Sequence, residues 1–279
     1  MKFTRRSFLR HSAATLSLTA IPSPGAHADK PKIRVGSCTL RLDQARQAGL
    51  DGVQLWAGGA ADELDIYKAD TRARLKTQIR ETGLPICSLM LGLLNSYPLA
   101  TDPRAPAWLR QSIEAAQDLG VPNILVAFFG KGDLQADRKI KEPEFASACR
   151  RIRDAAPRAH DAGVTLSIEN LLSAEQNLRM LDTIGHEAVS LYYDVYNTGK
   201  SMKYDSPAEI RLLKGRITQI HYKNGPRYLD EDRPYFEAVT AAIREIRYPG
   251  WIVLETSSPS KDGVADGKRN GDFVRSLFA

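Results

Sequence analysis

The fold is decided by four segments in the second half of the chain: Thr165-Leu166-Ser167-Ile168-Glu169-Asn170, Leu191-Tyr192-Tyr193-Asp194, Gln219-Ile220-His221-Tyr222-Lys223-Asn224 and Ile252-Val253-Leu254-Glu255-Thr256. Each segment contains a short apolar run that leads into an ionisable side chain. The spacings between Glu169, Asp194, His221 and Glu255 are 25, 27 and 34 residues, about the length of one strand plus one helix. Nearly continuous apolar runs predict parallel strands that are buried on both faces. The pattern therefore predicts repeated strand–helix units.

The same alternation extends through the first half of the chain. Strands are predicted at 33–37, 52–56, 86–91, 123–128, 165–169, 191–194, 218–221 and 251–255, and helices with apolar periodicity at 71–82, 108–119, 144–162 and 236–246. Glycines mark helix ends before the next strand, as at Gly83, Gly120 and Gly163. Pro157 is expected to bend or split its helix. The polar, Gly-rich stretch 257–271 is expected to be a long loop, followed by a short helix that ends at Phe278.

Eight strands that alternate with helices predict an α/β fold, a closed (β/α)8 TIM barrel, as a single domain over residues 29–279. The alternative is an open, doubly wound sheet. Such a sheet normally has about five to seven strands and a Gly-x-Gly-x-x-Gly turn after its first strand. This sequence has more predicted strands and lacks that turn.

Residues 1–28 have the layout of a twin-arginine export signal peptide. The arginine pair lies in Thr4-Arg5-Arg6-Ser7-Phe8-Leu9-Arg10, a mildly apolar run covers 12–21, and Ala26-His27-Ala28 is a small-x-small cleavage motif. This order predicts recognition by the twin-arginine translocase, cleavage after Ala28 and a periplasmic or otherwise exported protein. The alternative is a basic N-terminal tail. The segment is too short and polar to span a bilayer, and no membrane span is expected in the mature form.

Charge and cysteine content exclude two classes of protein. The signal holds four cations and no acid, so its removal lowers the formal net charge from +6 to +2. A nearly balanced mature domain gives little reason to expect a nucleic-acid partner. Cys38, Cys87 and Cys149 are odd in number and far apart, which favours unpaired, buried thiols over a disulfide scaffold.

The four ionisable residues predict a metal centre. In a barrel of this type, functional groups lie at the carboxyl ends of the strands, where Glu169, Asp194, His221 and Glu255 all occur in phase. Three carboxylates and one imidazole suit one divalent cation, with Mn²⁺ preferred and Zn²⁺, Mg²⁺ or Co²⁺ as alternatives. Without a cation, three carboxylates in one pocket would repel each other. Any one of these residues alone would be better explained as a helix cap or an ion-pair partner, and it is the four in phase that indicate a metal site.

These motifs resemble those of the xylose isomerase-like barrel superfamily, the sugar phosphate isomerase/epimerase group. The resemblance covers the mature chain and rests mainly on Ser167-Ile168-Glu169-Asn170, Tyr193-Asp194-Val195-Tyr196-Asn197, Ile220-His221-Tyr222-Lys223-Asn224 and Leu254-Glu255-Thr256. In similar ketose 3-epimerases, a set of this kind binds one metal ion. The resemblance implies that Glu169 and Glu255 also act as the acid and base, which exchange a proton with the substrate carbon through an enediolate.

The resemblance also suggests substrate-binding residues. Arg227 follows His221 by six residues, where similar epimerases place an arginine that binds substrate; the alternative is a solvated loop residue. Lys223 and Asn224 are expected to contact substrate hydroxyls, although Lys223 could instead pair with an acid. Asn197 stands where some epimerases carry a histidine. Trp56 is expected to stack on a sugar, in a wall to which Gln54, Phe128 and Phe129 could also belong; core packing or a place at the rim is the alternative for these strand-end residues.

The expected function is that of a sugar isomerase or epimerase. Export makes a non-phosphorylated sugar or sugar derivative the expected small-molecule partner, because sugar phosphates are chiefly cytoplasmic. One alternative is a lyase or dehydratase, such as an enzyme that cleaves a 3-keto-glycoside by β-elimination, and another is a non-catalytic periplasmic sugar-binding barrel. A trinuclear zinc nuclease needs more histidines than the three that follow the signal, His160, His186 and His221. Barrels of this group often pair, so a homodimer is also considered.

Overall fold

The structure is a computed structural model that describes residues 33–279. The export signal predicted over 1–28, with its cleavage point after Ala28, lies outside the described residues. Within the described part, no helix is both long and apolar enough to cross a membrane.

Eight parallel strands form a closed barrel. They are β1 (Arg34–Ser37), β2 (Gly52–Trp56), β3 (Ile86–Leu91), β4 (Asn123–Ala127), β5 (Thr165–Glu169), β6 (Val189–Asp194), β7 (Ile217–Tyr222) and β8 (Trp251–Leu254). Each strand pairs with the next one along the chain, and β8 pairs with β1 to close the ring. The predicted (β/α)8 barrel is thereby confirmed, and the doubly wound sheet is excluded.

Among residues 33–279, eight α-helices surround the strands. They are α1 (Leu42–Gln47), α2 (Ala69–Thr82), α3 (Ala105–Leu119), α4 (Glu142–Asp161), α5 (Ala174–Ile184), α6 (Ser206–Leu213), α7 (Arg233–Glu245) and α8 (Gly263–Phe278). Gly83 and Gly120 end α2 and α3 in the left-handed conformation, which glycine adopts without steric cost. The β4–α4 connection carries a small antiparallel hairpin, Gln135–Ala136 with Lys139–Ile140.

Pro157 does not split α4, which runs unbroken through it. The proline is exposed, whereas Ile152, Ala156 and Ala159 on the opposite side are buried. The backbone hydrogen bond that proline cannot make is therefore lost on the side where water can replace it. The expectation of a split helix was wrong for this reason.

The prediction of a long loop over 257–271 is also wrong, because most of that stretch belongs to helix α8. Its glycines are packing positions: a Cβ at Gly267 would lie 2.7 Å from a methyl carbon of Leu40, and one at Gly271 would lie 2.6 Å from a methyl carbon of Leu50. With four-residue spacing these glycines lie on one face of the helix. The absence of side chains at these positions lets α8 pack closely against Leu40 and Leu50, which flank helix α1.

The apolar core has two layers. Most buried residues lie between the barrel and its helices, and a smaller cluster fills the barrel interior: Cys87, Met90, Leu125, Ala127, Tyr192, Trp251 and Val253. The three cysteines are free; Cys87 and Cys149 are buried, as predicted, but Cys38 is only half-buried and lies just after β1. This filled interior supports the side chains at the barrel mouth from below.

Asp266, in the first turn of α8, accepts hydrogen bonds from two loops at the mouth of the barrel. Its carboxylate accepts hydrogen bonds from the Tyr228 hydroxyl at 2.7 Å and from the hydroxyls of Ser258 and Ser260 at 2.6 and 2.7 Å. Burial alone would raise the pKa of Asp266, but these hydrogen bonds outweigh it and hold the pKa below its ordinary value. The loops that follow β7 and β8 are thereby anchored to the same helix.

Candidate metal centre

The structure brings the four predicted ligand residues together at the carboxyl ends of consecutive strands. Glu169 ends β5, Asp194 ends β6, His221 lies one residue before the end of β7, and Glu255 directly follows β8. Asp194 and His221 are direct partners in the β6–β7 register. Each residue offers one ligand atom, and these atoms all lie within 4.8 Å of one another. The four side chains can therefore hold a single metal ion.

The His221 imidazole stands at the centre of the group. Its Nδ1 lies 3.0 Å from Glu169 Oε1, 3.3 Å from Glu255 Oε2 and 3.8 Å from Asp194 Oδ2. The ring is fully buried and packs against the Tyr192 ring, with 4.3 Å between centroids. Burial alone would lower the pKa of His221, but the three carboxylates outweigh it and hold that pKa above its ordinary value.

Gln54 on β2 determines which imidazole nitrogen of His221 carries the proton in the neutral ring. The Gln54 amide nitrogen donates to Ser88 Oγ at 2.8 Å, so its Oε1 is the atom that faces His221 Nε2, at 2.9 Å. An amide oxygen can only accept, so Nε2 carries the proton in the neutral ring and the Nδ1 lone pair points to the carboxylates. This is the support that a metal-binding histidine needs. The sequence groups Gln54 with strand-end residues that could belong to the sugar-stacking wall, but it lies in the middle of β2, is buried and does not line the cavity at the barrel mouth.

Asp194 presents one oxygen atom to the centre. The backbone N–H of Asn197 donates to its Oδ1 at 2.7 Å, whereas the buried Oδ2 has no hydrogen-bond partner of good geometry among residues 33–279 and is approached by the Lys223 ammonium group at 3.0 Å. Burial, followed by the neighbouring glutamates, raises the pKa of Asp194. A divalent cation bound at Oδ2 would stabilise the ionised carboxylate. The donor set of three carboxylates and one imidazole therefore fits a divalent metal ion.

Lys223 completes the centre. It lies two residues after His221, so both side chains point to the same side of the strand. Its Nζ is 2.9 Å from Glu255 Oε2 and 3.0 Å from Asp194 Oδ2. Burial alone would lower the pKa of Lys223, but Asp194 and the two glutamates raise it well above its ordinary value. Lys223 therefore forms ion pairs with two of the four proposed ligands.

A cavity of about 260 Å³ opens directly above this centre. The residues that line it are Trp56, Met90, Asn95, Ala127, Phe129, Glu169, Asn197, Lys223 and Glu255. The lining combines aromatic and apolar side chains with two glutamates, one lysine and two asparagine amides. A larger cleft of about 650 Å³ lies at the opposite end of the barrel. It contains none of the four ligands and faces the strand ends that barrels use for stability.

The predicted substrate-binding residues fall into two groups. Trp56, Asn197 and Lys223 line the cavity. Asn224 does not line it: its amide donates to Tyr228 O at 2.8 Å inside its own loop. Arg227 is exposed and also lies outside the cavity lining. The tight turn that follows Lys223 directs both residues back into the loop.

Of the two phenylalanines predicted to belong to the sugar-stacking wall, only one lines the cavity. Phe129 lines the cavity, whereas Phe128 is buried in the layer between barrel and helices. Asn95 adds a polar group that the sequence does not single out. The backbone N–H of Phe129 donates to its Oδ1 at 3.1 Å, which orients its amide. No motif marks this residue, because it becomes part of the cavity only through the turn that follows β3.

A closed parallel barrel with three carboxylates and one histidine at the ends of its last four strands defines a class of protein: (β/α)8 barrels with a candidate metal centre at the mouth. Residues 42–277 match the model of the xylose isomerase-like TIM barrel family. The chain belongs to this family.

Three comparisons show what the chain is similar to. It is 26% identical to a 2-epi-5-epi-valiolone 7-phosphate 2-epimerase from Actinoplanes sp. over 192 residues, and this aligned region covers 68% of each chain. Its fold is similar to a structure of L-ribulose 3-epimerase (TM-score 0.71, 22% identity, 88% of this chain and 95% of the other). It is also similar to 3-keto-D-glucoside 4-epimerase from E. coli (TM-score 0.72, 14% identity, 88% and 100%).

Proposed function

We propose that this protein is a metal-dependent isomerase or epimerase that acts on a non-phosphorylated sugar or sugar derivative by proton transfer next to a carbonyl. One observation carries the proposal: two glutamates, Glu169 and Glu255, approach the same imidazole nitrogen from different strands, at 3.0 and 3.3 Å. Two carboxylates at one centre suit the removal of a proton and its return. The three relatives described above are all epimerases by name, which supports this choice.

The chemistry divides between the metal and the chain. A divalent cation held by Glu169, Asp194, His221 and Glu255 would polarise the substrate carbonyl and stabilise charge on its oxygen. One glutamate takes the proton from the carbon beside the carbonyl, and the C–H electron pair moves into the developing enediolate. The other glutamate delivers a proton taken up from solvent to the opposite face of that carbon, and the first glutamate releases its proton to solvent, so the product is an isomer of equal mass.

The two glutamates have different surroundings. Glu255 pairs with Lys223 at 2.9 Å, whereas Glu169 has no cationic partner other than His221 among the described residues. Burial alone would raise the pKa of Glu255, but His221 and Lys223 outweigh it and hold the pKa below its ordinary value. The Lys223 ammonium group thus stabilises the ionised form of Glu255, whereas Glu169 pairs with His221 alone among the described residues.

The cavity lining favours an uncharged substrate. Lys223 is the only cationic side chain among the described residues that line it, and it already pairs with two carboxylates. A phosphate placed there would meet two carboxylates, those of Glu169 and Glu255, and no unpaired side-chain cation among the described lining residues. The exposed ring of Trp56, with 59% of its surface accessible, would stack on the C–H face of a sugar. Asn197 and Lys223 would contact substrate hydroxyls.

The proposal includes the metal and the compartment. We assign Mn²⁺ as the preferred ion, because the donor set is rich in carboxylate oxygen with one imidazole; Zn²⁺, Mg²⁺ and Co²⁺ are the alternatives. We also propose that the chain is exported through the twin-arginine translocase, which the Arg5-Arg6 pair and the Ala26-His27-Ala28 motif support. Replacement of both arginines by lysine should retain the uncleaved chain in the cytoplasm. A homodimer stays a prediction, which sedimentation would test.

Metal content is the first test. We expect wild-type protein reconstituted with Mn²⁺ to hold about one ion per chain, and His221→Ala and Asp194→Ala to lose it. His186→Ala is the matched control, because His186 lines the cleft at the other end of the barrel. If the wild type binds none of the four candidate ions, the proposal fails.

Turnover in deuterated solvent is the second test. Keto-sugars and keto-glycosides should gain deuterium at the carbon beside the carbonyl, and Glu169→Gln and Glu255→Gln should each abolish this exchange. A product that has lost water or an aglycone would favour the lyase alternative. Ligand binding without exchange, unchanged in Glu169→Gln, would favour the sugar-binding barrel.

A further inference from the structure

We infer that Lys223 is the fixed counter-charge of the metal centre, and that it limits how tightly the centre holds its divalent cation. This inference rests on the proposed metal site and assigns to one residue the regulation of its affinity. It follows from the position of Lys223, the charges around it and the contrast with the other lysines of the chain.

The position of Lys223 is the first argument. Its Nζ lies between Asp194 Oδ2 and Glu255 Oε2, at 3.0 and 2.9 Å, and its side chain is 18% exposed. Asp194 is buried, and Glu255 is part of the same group of four residues that could hold the metal. The ammonium group therefore contacts two of the four proposed ligands directly.

The other lysines of the described region provide a contrast. Lys68, Lys76, Lys200 and Lys268 each pair with one partly exposed aspartate. Within residues 33–279, Lys223 is the only lysine that pairs with two carboxylates. Exposed ion pairs contribute little to stability, whereas a cation held by two buried or half-buried carboxylates changes the charge of a functional site.

The charge balance is the second argument. Glu169, Asp194 and Glu255 carry three negative charges when ionised, and the orientation imposed by Gln54 keeps the His221 ring neutral when Nδ1 binds a metal. A divalent cation compensates two of the negative charges, and Lys223 compensates the third. The loaded centre is therefore electroneutral. Without Lys223 the loaded centre would carry one net negative charge in a partly buried pocket. An uncompensated buried charge destabilises the folded protein, but it also strengthens the attraction between the ligands and the cation.

The consequence is competition. Lys223 and the metal ion attract the same carboxylates, and the two cations repel each other across a few ångströms of a low-dielectric site. Removal of the ammonium group should therefore strengthen divalent cation binding by about tenfold or more. A lysine that only organised the ligands would have the opposite effect, because its loss would leave the carboxylates less ordered.

Calorimetric titration with Mn²⁺ tests the inference without reference to activity. Metal-free wild type, Lys223→Met and Lys200→Met would be titrated with MnCl₂ at constant ionic strength. We expect Kd to fall about tenfold or more in Lys223→Met and to stay within about twofold in Lys200→Met. The control removes the same charge and also an ion pair, since Lys200 lies 2.6 Å from Asp232, but it does not contact the four ligands.

Thermal unfolding gives a second readout. The rise in Tm on addition of Mn²⁺ should be larger for Lys223→Met than for wild type, because the metal-free variant contains uncompensated carboxylates and the loaded variant binds the ion more tightly. Lys223→Gln should shift Kd in the same direction and serves if Lys223→Met does not fold. Lys223→Arg keeps the charge and should keep Kd near the wild-type value.

The outcomes separate the inference from the proposal beneath it. If wild type and Lys200→Met bind Mn²⁺ but the neutral variants of Lys223 bind it equally or more weakly, the inference is overturned and the proposed metal centre stands. If wild type binds no divalent ion, the metal centre fails, and the inference fails with it.

Discussion

The replacement of Gln54 by leucine should weaken metal binding although Gln54 is not a ligand. The Gln54 amide oxygen accepts from His221 Nε2 at 2.9 Å, and both residues are buried. Leucine has a similar size but no acceptor. In the metal-free variant the imidazole proton can move to Nδ1, where Glu169 lies 3.0 Å away and accepts it. Metal binding requires the proton back on Nε2, where it then has no partner.

The size of the effect follows from that unpaired donor. A buried N–H without an acceptor costs about 1–3 kcal/mol, and each 1.4 kcal/mol is about a factor of ten in affinity. Loss of the group that orients a metal-binding histidine typically costs about tenfold to hundredfold in metal affinity. The two figures agree, so we expect Kd for Mn²⁺ to rise by about tenfold to hundredfold.

The assay is calorimetric titration of the metal-free protein, with Gln219→Leu as the matched control. Gln219 is a buried glutamine on the same strand as His221, but its amide donates to Cys87 O rather than to the imidazole. We expect the control to lose stability and to keep its metal affinity. Equal Kd values for Gln54→Leu and wild type, or an equal rise in both variants, would refute the role assigned to Gln54.

Three further substitutions test other parts of the structure. Trp56→Ala should raise KM for the sugar about tenfold and leave Tm within about 2 °C, because the ring is largely exposed above the cavity; a large drop in Tm would contradict this. Asp266→Asn should lower the free energy of unfolding at pH 7 by about 2 kcal/mol. Since the pKa of Asp266 is lowered in the folded state, its contribution is complete above about pH 4 and is lost as pH falls through the folded-state pKa; denaturant unfolding at pH 7 and pH 3 should show the difference shrink. Gly267→Ala should cost about 1–3 kcal/mol in the same assay, because its Cβ would meet Leu40 at 2.7 Å; Gly215→Ala, where nothing lies within 4 Å of the added carbon, should be nearly neutral.

The barrel and its ligand set were predictable because both depend on local patterns. A strand that is buried on both faces shows itself as a short apolar run whatever its neighbours are, and all eight predicted strands occur within two residues of their expected ends. A closed parallel barrel brings the carboxyl ends of all strands to one face. Phase along the sequence was therefore enough to bring Glu169, Asp194, His221 and Glu255 together.

Helix α8 shows where local patterns mislead. Glycine has low helix propensity, so the stretch 257–271 was expected to be a loop. The cost of its glycines is offset by close contact with Leu40 and Leu50, more than 200 residues earlier in the chain. Propensity describes the isolated segment, whereas this helix is stabilised by the surface on which it packs.

The sequence by itself determined the strand order, the closure of the barrel and the identity of the four proposed ligands, since each is a matter of spacing along one chain. Only the tertiary structure decided which imidazole nitrogen of His221 carries the proton in the neutral ring, because the residue that accepts it is Gln54, 167 positions away. It also decided that Lys223 pairs with two carboxylates while Asn224 and Arg227 turn away from the cavity. Hydrogen-bond direction and charge pairing depend on distances of a few ångströms between strands, and a linear spacing carries no information at that scale.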